Sequence, residues 1–341
     1  IEDYKIYVKK LFPNAKTVSV WGGEDGSYDV STGVSSTPEY GKVFISVKST
    51  TGKDLTSVQK SNLVSALAPY KVASITPVIV NSETTSIILN VTAQYNKNAT
   101  TLSPADLETN ILSTLTNYNE SSLQSFNEPF RHSKVLSLID NSDTSILNST
   151  ATVAISKSFT PQLSTEASYS LNFANVIYHP HGGHASESGG ILNSSGFFLT
   201  PETKYNIGQD ISREYFLDED GNGNVRIYYL SALNRIYSAE FAGRIDYHTG
   251  VVSLFPINIL SVSDIDGSTS SQIKISVIPD SFDVVPVRNQ ILELDLVNTD
   301  ITASVDAITS TGQTFSTTTT SSGTTTTVTT ASSSAPTSSY Y

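Results

Sequence analysis

Apolar residues follow two different periods in this chain, and the change falls at about Phe159. Before that point, strand-like alternation is interrupted by helical spacing. After it, helical spacing disappears. Val43, Ile45 and Val47 alternate with Phe44, Ser46 and Lys48, the period of a strand. Residues 55–68 read as a helix, with Leu55, Val58, Leu63, Ala66 and Leu67 on its apolar side. Strands follow over 75–80 and 87–95, separated by a turn at 81–84. Ser103 is placed to cap the next helix, over 103–118. Pro104 fits its first turn, Asp106 sits three residues after the cap, and Leu107, Ile111, Leu115 and Tyr118 form its buried stripe. A shorter helix over 130–139 and a strand over 151–155 close the pattern.

The resulting order between 43 and 158 is β-α-β-β-α-(α)-β. It predicts an α+β fold with a ferredoxin-like split βαβ unit: one sheet with its helices on one face. A helix over 4–12 and a strand over 17–21 precede it. Beyond Phe159, short apolar runs alternate with Gly, Asn, Asp and Pro clusters, which predicts an all-β region with turns at 218–224 and 248–250. From Ser316 the chain is almost wholly Thr and Ser and has too little apolar surface for a core of its own. The expected organisation is an α+β domain over 1–160, a β-rich domain over 161–315 and a Ser/Thr-rich tail over 316–341.

Charge excludes one class of partner. The chain has 20 basic and 32 acidic residues, a formal net charge of −12, and such a surface repels phosphates, so no nucleic-acid partner is expected. No apolar run approaches the roughly 18 residues of a membrane span. There are no cysteines, which removes disulfides, zinc thiolates and a cysteine nucleophile. There is also no methionine, and the chain opens inside a helical pattern, so it reads as a piece of a longer protein.

Two clusters resemble metal sites. His179, His181 and His184 place three imidazoles in six residues. Pro180, Gly182 and Gly183 mark an irregular loop with no acidic neighbour, and the simpler reading is a polar surface loop. Asp218, Asp220, Asn222 and Asn224 alternate as in the first half of a calcium loop, with Gly223 at the turn. Tyr229 stands where a bidentate Glu is required, and strand-like runs flank the segment, so a β-hairpin turn is the expectation. Neither cluster is assigned a metal. No Gly-x-Ser-x-Gly elbow, phosphate loop or complete acid–base set occurs, so no catalytic residue, no cofactor and no enzymatic activity are expected. Trp21, Tyr40, Tyr228, Tyr229 and Tyr237 are candidates for core or interface anchors.

Three segments together carry a family resemblance. The first is Glu2-Asp3-Tyr4 with the later Val18-Ser19-Val20-Trp21-Gly22-Gly23-Glu24-Asp25. The second is the strand and helix run from Val43 to Ile155. The third is Gly243-Arg244-Ile245-Asp246-Tyr247-His248-Thr249-Gly250-Val251-Val252. In order and spacing they resemble the baseplate J-like family of contractile-tailed phages, and within it the C-terminal half of the wedge proteins of T-even phages. The resemblance covers the first half of the chain well and the second half patchily. It implies a structural virion component of the tail baseplate, assembled in the host cytoplasm. It also implies contacts with further copies of itself, as a homodimer or ring, and with other wedge and hub proteins, in a ring that rearranges on contraction. The family carries no catalytic residues to transfer. A β-rich surface adhesin or carbohydrate-binding module is the alternative that composition leaves open.

Overall fold

The computed structural model describes residues 2–25, 38–51, 54–70, 74–179, 190–265, 267–307, 314–321 and 324–331. In chain order the elements are α1 (Glu2–Leu11), β1 (Ala15–Gly22), β2 (Lys42–Ser49), α2 (Ser57–Leu67), β3 (Thr76–Val80), β4 (Glu83–Tyr95), α3 (Pro104–Tyr118), α4 (His132–Asp140), β5 (Ile146–Phe159), β6 (Glu166–Asn172), β7 (Leu192–Ser194), β8 (Phe197–Leu199), β9 (Glu214–Glu219), β10 (Asn224–Ser231), β11 (Asn234–Tyr237), β12 (Gly243–Asp246), β13 (Val251–Val262), β14 (Ile273–Val277), β15 (Gln290–Leu294), β16 (Asp300–Val305), β17 (Thr314–Ser321) and β18 (Thr324–Ala331). They form two compact units. One comprises Ile1–Leu89, Tyr118–His132 and Val153–Thr299, and the other Asn90–Asn117, Ser133–Thr152 and Asp300–Tyr341.

The first unit opens with a three-stranded sheet in the order β1-β2-β3. β1 and β2 are antiparallel, and β2 runs parallel to β3 with α2 as the crossover. Tyr4 and Val8 of α1 pack with Val18, Val20, Val43, Ile45, Val47, Leu63 and Leu67 in one core. Thr56 caps α2 reciprocally with Gln59, which starts the helix at Ser57, two residues after the buried Leu55. That start turns Val58 outward, where it is 69% exposed, so it does not join the predicted stripe.

The predicted ferredoxin-like sheet over 43–158 does not form. β2 and β3 lie in the sheet just described, whereas β4 and β5 belong to another. The physical reason is competition for strand edges. β1 takes the free edge of β2. β4 takes a parallel partner in β15, with Gln290 opposite Glu83 and Leu294 opposite Ile87. β5 takes an antiparallel partner in β14, which in turn pairs β7. The partners of β4 and β5 arrive more than 100 residues later, and local periodicity does not reveal them.

Beyond Phe159 the elements of the first unit are strands apart from a short 3-10 turn at Ile207–Gln209, as the sequence predicts. β10 pairs β12, β12 pairs β13, β13 pairs β8, β8 pairs β9, and β9 pairs β10, so five strands close on themselves as a barrel. Phe197 and Leu199, Tyr215 and Leu217, Val225 and Ile227, and Val252 and Leu254 are buried at every second position, as a filled small barrel requires. β6 lies along β13, and β11 along β10.

In the second unit β16 runs parallel to the latter part of β4, from Asp300 opposite Asn90 to Val305 opposite Tyr95. Ser103 and Asp106 cap α3 reciprocally: Ser103 N donates to Asp106 Oδ2 at 3.0 Å and Asp106 N to Ser103 Oγ at 3.2 Å. Leu107, Ile111 and Leu115 are fully buried, as are Val135 and Ile139 of α4. Among the described residues β17 and β18 pair only with each other, from Thr314 opposite Ala331 to Ser321 opposite Thr324.

Candidate functional site

The turn between β9 and β10 carries a dense set of charges. Gly221 and Gly223 both adopt positive φ there, which favours glycine. Asp220 organises the turn: Oδ1 accepts from Asn222 N at 2.8 Å and Asn224 N at 3.0 Å, and Oδ2 from Asn224 Nδ2 at 2.8 Å. Burial raises the Asp220 pKa, but the bonds from Asn224 and Asn222 outweigh burial and hold it below the usual carboxylate value. Asp218, one alternation away, is fully buried. It accepts from Arg226 Nε at 2.9 Å, Arg235 Nη1 at 2.8 Å and the Tyr237 hydroxyl at 2.8 Å. Burial pushes its pKa up despite the hydroxyl and the two guanidinium groups. Arg226 also lies over the Tyr237 ring and Arg235 over the Tyr228 ring, at 4.2 and 4.7 Å from the centroids. These bonds make the segment a β-hairpin turn with its carboxylates committed to protein donors.

Glu219 is also fully buried. It accepts from Ile191 N at 2.9 Å, from the Tyr247 hydroxyl at 2.8 Å and from Gly221 N. Burial, and then the Glu219 carboxylate, push the Tyr247 hydroxyl pKa well above its ordinary value. The His179 ring stacks on Tyr247 with centroids 4.3 Å apart. His181 and His184 lie outside the described residues. Among the described residues no three His, Asp or Glu side chains converge as a metal site. His132 and His248 sit in separate structures: His132 N donates to Asp283 and His248 N to Asp246.

A second charged site lies where β4 begins and β5 ends. Lys157, 5% exposed at its side chain, donates to the Glu83 carboxylate and to the Asn172 carbonyl. Burial pulls the Lys157 pKa down and pushes that of Glu83 up, and each is opposed by the other's charge. The pair borders a cleft of about 690 Å³ whose other walls include Ser86, Ser158, Tyr169 and Glu293. Sequence reasoning missed this pair because Glu83 and Lys157 are 74 residues apart. The available signal was a lysine at an alternating position shared with Val153, Ile155 and Phe159. Of the aromatic candidates, Trp21 and Tyr228 are buried and Tyr40 is exposed.

Both sites pair their charged groups within the protein. Residues 1–80 match the family model described as baseplate structural protein gp6, C-terminal domain I, and residues 83–158 match the model of C-terminal domain III of the same protein. The baseplate wedge protein gp6 of Enterobacteria phage T4 is 33% identical over 113 residues, which cover 33% of this chain and 17% of that protein. Over most of residues 1–158 the chain is therefore similar, in consecutive segments, to two C-terminal domains of a phage baseplate structural protein.

Proposed function

We propose that this chain is a structural wedge component of a contractile phage tail baseplate. The observation that carries the reading is the adjacency of the two matches: domain-I-like and domain-III-like segments follow one another with only residues 81 and 82 between them. The protein is a virion component located in the tail baseplate. Its partners in this reading are further copies of itself and other wedge and hub proteins, with no nucleic acid among them. Its sites hold the fold together and perform no catalysis. The end of the second match at residue 158 supports a domain boundary near residue 160, with a β-rich domain and a Thr/Ser tail after it. The broader baseplate J-like relationship belongs to the same reading.

The test is location. Antibodies to this chain, or mass spectrometry, applied to purified tails are expected to find it in the baseplate at a fixed ratio to other baseplate proteins. Purified intact tails that lack the chain would overturn the reading.

A further inference from the structure

Asn222-Gly223 is the one Asn-Gly step in the 341 residues. At such a step the backbone can react with its own side chain. Glycine carries no Cβ, so the Gly223 nitrogen can reach Asn222 Cγ, close a five-membered succinimide and expel ammonia. Water then opens the ring at either carbonyl and leaves aspartate or isoaspartate at position 222. Water is the only co-reactant, and Asn222 is exposed in the turn between β9 and β10.

The attacking nitrogen must first lose its proton, and in the closed turn its N–H is engaged. Gly223 N donates to the Tyr247 hydroxyl at 3.2 Å, and that hydroxyl donates in turn to the buried Glu219 carboxylate at 2.8 Å. The Tyr247 proton is thus committed to Glu219, and the lone pairs of its oxygen are left for Gly223. Burial and the Glu219 carboxylate keep the phenol protonated. A protonated phenol accepts a hydrogen bond but is no base for the Gly223 proton, so the contact holds the nitrogen without activating it. The departing amide is held as well, because Asn222 Nδ2 donates to the Asp220 carbonyl at 3.3 Å. On either side Asn222 N and Asn224 N both donate to Asp220 Oδ1.

We propose that Asn222 is a deamidation site, and that the Tyr247 hydroxyl holds it unreacted while the turn stays closed. Each opening of the turn releases the Gly223 nitrogen, so the modification records how often the turn opens. The product cannot restore the starting geometry. It lacks the Nδ2 donor to Asp220 and sets a second carboxylate beside that residue. Isoaspartate also adds a carbon to the backbone between the two N–H groups that Asp220 Oδ1 accepts.

The test follows the full chain in mildly alkaline buffer. Trypsin releases residues 214–226 as one peptide, in which fragmentation locates the mass gain at Asn222 and enzymatic methylation detects isoaspartate. Asn193-Ser194, with Asn193 exposed in the same compact unit, reports general unfolding. Tyr247→Phe keeps the ring on which His179 stacks and leaves Glu219 its bonds from Ile191 N and Gly221 N. It is expected to speed deamidation of Asn222 about fivefold, the factor of one net hydrogen bond, with the Asn193 rate unchanged. The wild-type chain in urea is expected to deamidate Asn222 faster than the folded chain does. An unchanged or slower Asn222 rate in Tyr247→Phe would overturn the proposal, the slower rate by making Tyr247 an activator. Equal acceleration of Asn193 and Asn222 in that variant would overturn it too, by assigning the protection to the fold as a whole. So would a wild-type rate no faster in urea than in the folded state.

Discussion

The Arg235 guanidinium donates to the Asp218 carboxylate at 2.8 Å, tying a strand outside the closed barrel to a residue buried within it. Arg226, from the neighbouring strand, supplies the second cation at 2.9 Å. Asp218→Asn keeps the shape but removes the charge both guanidinium groups share. It is expected to lower stability by about 3 kcal/mol, the cost of breaking a largely buried ion pair. Denaturant unfolding measures this. A loss within the error of the wild-type value would mean the cluster is solvated and weak.

The buried Lys157–Glu83 pair has a different signature. Lys157→Met alone leaves a carboxylate in a site where burial already raises its pKa. Its folded pKa then lies above the unfolded one, so the folded state binds the extra proton. Stability is therefore expected to fall as pH rises through that window, starting from about 4.3. Adding Glu83→Leu removes the stranded carboxylate and is expected to recover most of the loss and abolish the pH dependence. Urea midpoints for both variants between pH 4 and pH 8 decide it.

Asp283 gives the opposite slope. Its carboxylate accepts from His132 N and from Arg131 Nη1, each at 2.9 Å, and these bonds hold its pKa below the usual value. A depressed folded pKa contributes stability that is fully present above the unfolded value of about 3.9 and is lost as pH falls through the folded one. Asp283→Asn is therefore expected to weaken the fold at neutral pH and to make less difference below pH 3. Thermal melts at both pH values test this; an equal loss at both would mean the charge is not what matters.

The hairpin turn supplies a test against ion binding. Because Asp220 binds three donors of its own turn, a chelator is expected to leave the Tm unchanged. Asp220→Ala is expected to cost about 1 kcal/mol, the scale of a lost side-chain cap, with or without calcium. A Tm that drops on chelation, and only when Asp220 is present, would show an ion in the turn.

What the sequence revealed and what it hid follow one physical division. α3 was legible because its information is local: Ser103, Asp106 and the Leu107–Ile111–Leu115 spacing lie within thirteen residues. The β9–β10 hairpin was legible for the same reason, through Gly221 and Gly223. Barrel closure was not, since β8 must find β13 more than 50 residues away. β11 escaped notice because its turn, Ala232-Leu233, carries none of the residues such turns favour. The Asp218 site was half legible: the acidic run announced a turn, whereas Arg235 and Tyr237 gave no sign that they would face it. Val58 was misplaced because helical spacing alone does not say where the Thr56 cap sets the first turn.

Ile111 and Leu112 provide the sharpest test of the α3 register. They are adjacent and chemically alike, yet Ile111 is fully buried and Leu112 is 38% exposed. An aspartate at 111 would place an unpaired carboxylate among Leu107, Leu115 and the other apolar residues of that core, at a cost of several kcal/mol. At 112 the same charge stays in water and costs about 0.5 kcal/mol or less. Ile111→Asp is therefore expected to abolish cooperative unfolding of the second unit, and Leu112→Asp to leave the transition nearly unchanged. Equal effects would place the helix in a different rotation about its axis. A tolerant Ile111 with a sensitive Leu112 would reverse the buried face outright.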